Sequence, residues 1–160
     1  MIEAINDFKC IFENIKDDIR NTRFRIFRNA NSELINLYFR LGKIIDDNWK
    51  YGNNFVNELS IELKLEFPDM KGFSPRNLKY MLKFAEVWDS FEFVQQVVAQ
   101  IPWKTNLILL DKIDNNEERK WYANQIIENG WSSNVTRFQI ESKLMQRTGK
   151  EIFQMRPAGR

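Results

Sequence analysis

The chain has 160 residues, with 24 Lys and Arg against 22 Asp and Glu, for a formal net charge of +2. It contains no histidine, one cysteine (Cys10), six glycines and four prolines. The lack of His excludes Ser-His-Asp and Cys-His catalytic sets and His-ligated metal sites, and one Cys excludes an intramolecular disulfide and fits a reducing compartment.

Apolar residues make up 43% of the chain, and the low Gly and Pro content excludes collagen-like and disordered classes. The length suits one domain with a substantial core. No stretch approaches the ~20 apolar residues that span a bilayer. Acids begin at Glu3, unlike a signal peptide. The expectation is a soluble, cytoplasmic protein with no membrane partner.

Helical spacing dominates and strand signals are poor. Ile5, Phe8, Phe12, Ile15 and Ile19 repeat at steps of three and four, and Thr22 and Ile26 extend the register. A second stripe follows through Leu34, Leu37, Leu41, Ile44 and Asn48, flanked by Tyr38 and Ile45. A stutter of four joins the two stripes at Ala30. No Gly or Pro precedes Gly42, so residues 3–48 are one long helix or a helical hairpin broken near Asn29–Ser32. The first stripe is core or a homodimer seam.

Tyr51-Gly52-Asn53-Asn54 reads as a turn. Val56, Leu59, Ser60, Leu63 and Phe67 mark a helix closed by Pro68. Ser74-Pro75 supplies an N-cap and a first helical residue for a helix to about Trp88. After the mixed stretch 90–100, Thr105 can cap a short helix through Leu110. Asp114 can cap another that ends at Gly130. Ser132 or Ser133 caps a last helix that stops near Gly149. These elements predict an all-α helical bundle, one domain over 1–153, with a loose tail at 154–160.

Residues 56–88 form a helix-turn-helix-like unit. At 100° per residue, Leu78, Met81, Leu82, Ala85 and Trp88 share one side of its second helix. Arg76, Lys79 and Lys83 share the opposite side, and residues 71–84 contain no acid. Such a basic helix suits double-stranded DNA. Arg76 and Asn77 are placed to read base edges, and Lys79 and Lys83 to hold phosphates. Lys71 and Tyr80 are peripheral, with Tyr80 read as partly core. Ser74 is read as a helix cap.

A second helix pair at 117–147 turns at Asn129-Gly130-Trp131-Ser132. Its last helix has two apolar stripes, Val135, Phe138 and Met145, then Ile140 and Leu144, and is expected to pack on two neighbours. Trp103 and Trp131 are expected to anchor local packing. Pro68-Asp69 with Glu141-Ser142-Lys143 matches the letters of a PD-(D/E)xK nuclease signature. Asp69 falls in a loop and Glu141 and Lys143 fall on a helix, so the match is not read as an active site. Neither GxxxxGK[ST] nor GxGxxG occurs. No catalytic residue, metal site or cofactor is expected.

Short blocks resemble the N-terminal domain of the YhcG family of PD-(D/E)xK nucleases over residues 17–153. They include Asn31-Ser32-Glu33-Leu34, Leu41-Gly42-Lys43-Ile44-Ile45, Glu66-Phe67-Pro68 and Lys71-Gly72-Phe73-Ser74. Further on come Ile101-Pro102-Trp103, Arg119 with Trp121-Tyr122, and Glu128-Asn129-Gly130-Trp131-Ser132. The resemblance implies an all-helical, DNA-binding module that precedes a nuclease domain. No segment here is strand-rich enough to hold that domain's metal site, so the nuclease is expected elsewhere or on a separate chain. The His that often follows the Pro-Trp pair is replaced by Lys104-Thr105. The leading expectation is a DNA-binding module that targets a nuclease. The alternative is an interaction or homo-oligomerisation module built on the N-terminal stripe.

Overall fold

Lack of Gly and Pro over the first 41 residues lets one helix run far past the usual length. In the computed structural model, which describes residues 2–155 and the side chains of 3, 6 and 8–149, α1 is a single helix, Ile2–Asp47. Its 46 residues span about 69 Å at 1.5 Å per residue. The hairpin alternative fails at the residues expected to break it. Ser32 Oγ donates to the Ala99 carbonyl at 3.1 Å, and Asn31 Nδ2 donates to the same carbonyl at 3.1 Å. Both side chains thus serve a neighbouring turn, and the backbone stays helical.

A 3₁₀ turn, Trp49–Tyr51, leads to α2 (Gly52–Glu66), so the expected turn at 51–54 is the start of a helix. Residues 67–74 then reach α3 (Pro75–Val87). Ser74 caps α3 as predicted, accepting from the Asn77 backbone N–H at 3.1 Å, with Pro75 in the first turn. The stretch 90–100 contains α4 (Phe91–Gln96) and a 3₁₀ turn, Val98–Gln100.

Four caps or boundaries differ from expectation. α5 spans Trp103–Lys112, and Pro102 precedes it. Thr105 lies buried inside α5, with its Oγ1 2.8 Å from Ser133 Oγ. α6 (Asn116–Asn129) is capped by Asn115, not Asp114, through the Glu118 N–H at 3.1 Å. Gly130 ends it in the left-handed region, as expected. Ser132 caps α7 (Ser133–Glu141), and α8 (Leu144–Met155) follows. The expected single last helix is broken at Lys143, whose φ is 58°. Gly149 lies within α8, and tail residues 156–160 lie outside the described residues.

The core forms three adjoining clusters. One joins Tyr38 and Ile45 of α1 to Val56 of α2 and Leu78 and Met81 of α3. The next joins Ile35 and Phe39 to Phe84, Trp88, Val98 and Leu110. The last fills the space among α5, α6 and α7 with Ile108, Leu109, Tyr122, Ile126 and Ile140. Arg119 is buried there and donates to the Leu109 and Ile113 carbonyls. It thereby satisfies one carbonyl in the last turn of α5 and that of its C-cap residue, and burial pulls its pKa down.

The face of α1 that packs is not the predicted one. Ile35, Tyr38, Phe39, Gly42 and Ile45 are buried; Leu34, Leu37 and Leu41 are half-buried, and Ile44 is exposed. The helix is turned by about 100°, one residue's rotation. Gly42 explains the turn. A Cβ there would overlap the Met81 carbonyl and lie 2.8 Å from Ala85 Cβ. Only the side of α1 bearing Gly42 lets α3 approach so closely.

Gly42→Ala should therefore cost ~1–3 kcal/mol, the scale of overpacking a tight core. Urea unfolding of the variant beside wild type measures it. An unchanged midpoint would mean that the helices can separate without loss.

Candidate nucleic-acid interface

Burial of Leu78, Met81, Leu82, Phe84 and Ala85 turns the opposite face of α3 outward. Arg76 and Lys79 are exposed, and Lys83 and Tyr80 are half-buried. These four residues line one open groove of about 390 Å³. Arg76 lies over the Tyr80 ring, 5.6 Å from its centroid.

A second groove of about 550 Å³ adjoins at the start of α3, and Arg76 and Tyr80 border both. It brings Lys71, Gly72, Ser74 and Asn77 beside Tyr38 of α1 and Trp103 of α5. All six predicted site residues therefore surround one continuous surface. None of Lys71, Arg76, Lys79 and Lys83 is paired with a carboxylate among the described residues.

Asn77 corrects the sequence reading. Its Nδ2 donates to the Gly72 carbonyl at 2.6 Å, and its Oδ1 accepts from Trp103 Nε1 at 2.8 Å. The amide expected to read a base is committed within the fold, where it clamps the 67–74 connection against α5. Gly72 permits this, with a φ of 106° and space for no Cβ beside the Tyr38 hydroxyl. Trp103 does more than local packing. Its ring stacks on Phe84 at 5.2 Å and meets Tyr38 edge-on at 4.8 Å, joining α1, α3 and α5.

Three residues of this surface were missed from sequence. Tyr38 and Trp103 line it, and burial pushes the Tyr38 pKa up. Asp111 of α5 accepts from the Tyr80 hydroxyl at 3.0 and 3.1 Å. It sets a carboxylate at one edge of the basic groove. No local spacing links residues 38, 103 and 111 to α3.

The other candidates lie elsewhere. Asp69 is in the exposed connection after α2, while Glu141 is ion-paired with Lys112 at 3.0 Å. No group of three or more Cys, Asp or Glu close enough to hold a metal occurs among the described residues. The α6–α7 turn is compact, and α7 packs on two neighbours, α5 and α6, as expected, but through one face only. Thr136 and Ile140 are buried, whereas Val135 and Phe138 are exposed. By contrast the α2–α3 connection, residues 67–74, is longer than the three or four residues of a compact helix-turn-helix, and α1 is the main support of α3.

Asn77→Ala should lower stability by ~1–3 kcal/mol, because it leaves the buried-side partners of both hydrogen bonds unsatisfied. Thermal unfolding measures this, alongside duplex binding. Weaker binding with unchanged stability would restore Asn77 as a base reader.

No curated protein and no solved structure matches the chain. A family profile does match, over residues 14–147, and its description is DUF1016 N-terminal domain. That span covers α1 from its second quarter to the start of α8, and so includes every residue of the α3 surface. The YhcG-like sequence blocks agree with it. The chain belongs to the DUF1016 N-terminal domain family.

Proposed function

We propose that this domain binds double-stranded DNA along the outer face of α3 and so targets a PD-(D/E)xK nuclease carried on further sequence or on a separate chain. It contributes no catalytic group of its own in this reading. The observation that carries it is the set of four cations, Lys71, Arg76, Lys79 and Lys83, gathered around two adjoining open grooves without carboxylate partners among the described residues.

Unpaired cations on a helix and the loop that enters it suit phosphates, which supply most of the salt-dependent affinity for a duplex. The N-terminus of α3 adds a favourable dipole end beside Lys71 and Arg76. Asp111 repels phosphate at the α5 edge, so the strand runs along the Lys71–Lys83 side. Arg76, exposed in the first turn, is the residue placed to reach a guanine edge. Asn77 positions this surface from within.

Fluorescence anisotropy of a labelled duplex across a salt series tests the proposal. Four phosphate contacts predict a slope of log K against log salt near −3.6, or about 0.9 per phosphate. Lys79→Ala with Lys83→Ala should bring it to about −1.8 and weaken binding to every sequence alike. Affinity and slope unchanged in the double variant would remove α3 as the contact surface.

A further inference from the structure

The N-terminal half of α1 carries an apolar face that nothing among the described residues covers. Phe8, Phe12, Ile15, Ile19 and Ile26 are each more than half exposed. They share one side of the helix, turned about 150° from the side bearing Ile35 and Gly42 that packs on α3. The body therefore approaches α1 from the opposite side and cannot cover this stripe.

We infer that residues 8–28 pair with the same segment of a second copy, as a parallel, in-register two-stranded coiled coil. The spacing is a heptad. Phe12, Ile19 and Ile26 occupy a, and Phe8, Ile15 and Thr22 occupy d. β-branched Ile at a suits a parallel coiled-coil seam. The flanks decide the orientation. Lys9, Lys16 and Arg23 fill the e positions, while Ile11, Asp18 and Arg25 fill g. Antiparallel pairing sets e against e, so cation would face cation in every register. Parallel pairing sets g against the following e, so Asp18 meets Arg23 of the other copy twice. Asp18 and Arg23 have no ion-pair partner among the described residues, unlike Asp17 and Arg20.

The area is adequate. Six exposed apolar side chains on this side, Ile11 included, each offer on the order of 100 Å², since an aromatic side chain buries ~150–250 Å² when fully covered. Two copies together reach roughly the 1,200 Å² at which specific interfaces begin. At about 600 Å² per copy, the open patch stands at the upper end of what monomers usually expose.

Sedimentation equilibrium of the 160-residue chain, without nucleic acid, should give a dimer that persists at high salt. Phe12→Asp with Ile19→Asp should weaken association by about 100-fold or more, because charges would be buried in the seam. The unfolding transition of the body should stay in place. In a Cys10→Ser background, Ile15→Cys should form a disulfide-linked dimer on mild oxidation, since d positions face each other only in the parallel register. A monomeric wild-type chain, or a dimer that survives the double aspartate change, would overturn the inference. So would a dimer in which Cys at position 15 fails to cross-link. None of these outcomes depends on whether α3 binds DNA.

Discussion

The close approach of α1 and α3 at Gly42 is the constraint on which the rest of the structure depends. With no side chain at this position, the Met81 carbonyl and Ala85 can rest directly on the α1 backbone. That contact sets which side of α1 faces inward, and it brings Ile35, Tyr38, Phe39 and Ile45 into the core together. It also fixes the rotation of α3. Once Met81 and Ala85 face α1, the side bearing Arg76 and Lys79 has only solvent to face. Packing of the smallest residue thus decides where the charge is displayed.

A second, polar constraint acts at the start of α3. Asn77 joins the Gly72 carbonyl to the Trp103 indole, and the indole stacks on Phe84. Ser60 adds a 2.6 Å bond to the Phe73 carbonyl from α2. The connection 67–74 is long, yet it is held at both ends of its Gly72-Phe73 segment. Lys71 is thereby kept beside Arg76. The basic surface is assembled from a loop and a helix whose relative position is set by neutral hydrogen bonds beneath it. Neutral bonds serve this role better than ion pairs, because they leave the cations free for a partner.

The two halves of α1 do different work. The C-terminal half supports α3, while the N-terminal half lies largely outside the body with its apolar stripe turned away from it. Helix propagation without Gly or Pro links the two rigidly. A second copy seated on the stripe would therefore fix the orientation of two α3 surfaces relative to one another, and under the proposed function two linked surfaces would gain in avidity for one duplex.

The helical class, the Ser74 and Ser132 caps, the Gly130 terminus and the apolar face of α3 were all legible in the sequence. Each depends on residues within a few positions of one another, where backbone sterics and side-chain-to-backbone bonds act locally. The grouping of Arg76, Lys79 and Lys83 was legible for the same reason, since one helix carries them all. Other features depended on contacts between distant segments. Whether α1 bends at Ser32 was decided by carbonyls of residues 99 and 101, and which face of α1 packs was decided by Met81 and Ala85. The inward use of Asn77 needed Trp103, and the acidic edge of the groove needed Asp111. Local pattern determined which residues form each helix and what each helix presents. Only tertiary packing decided which of those faces meet, because that depends on the fit of side chains far apart in the chain.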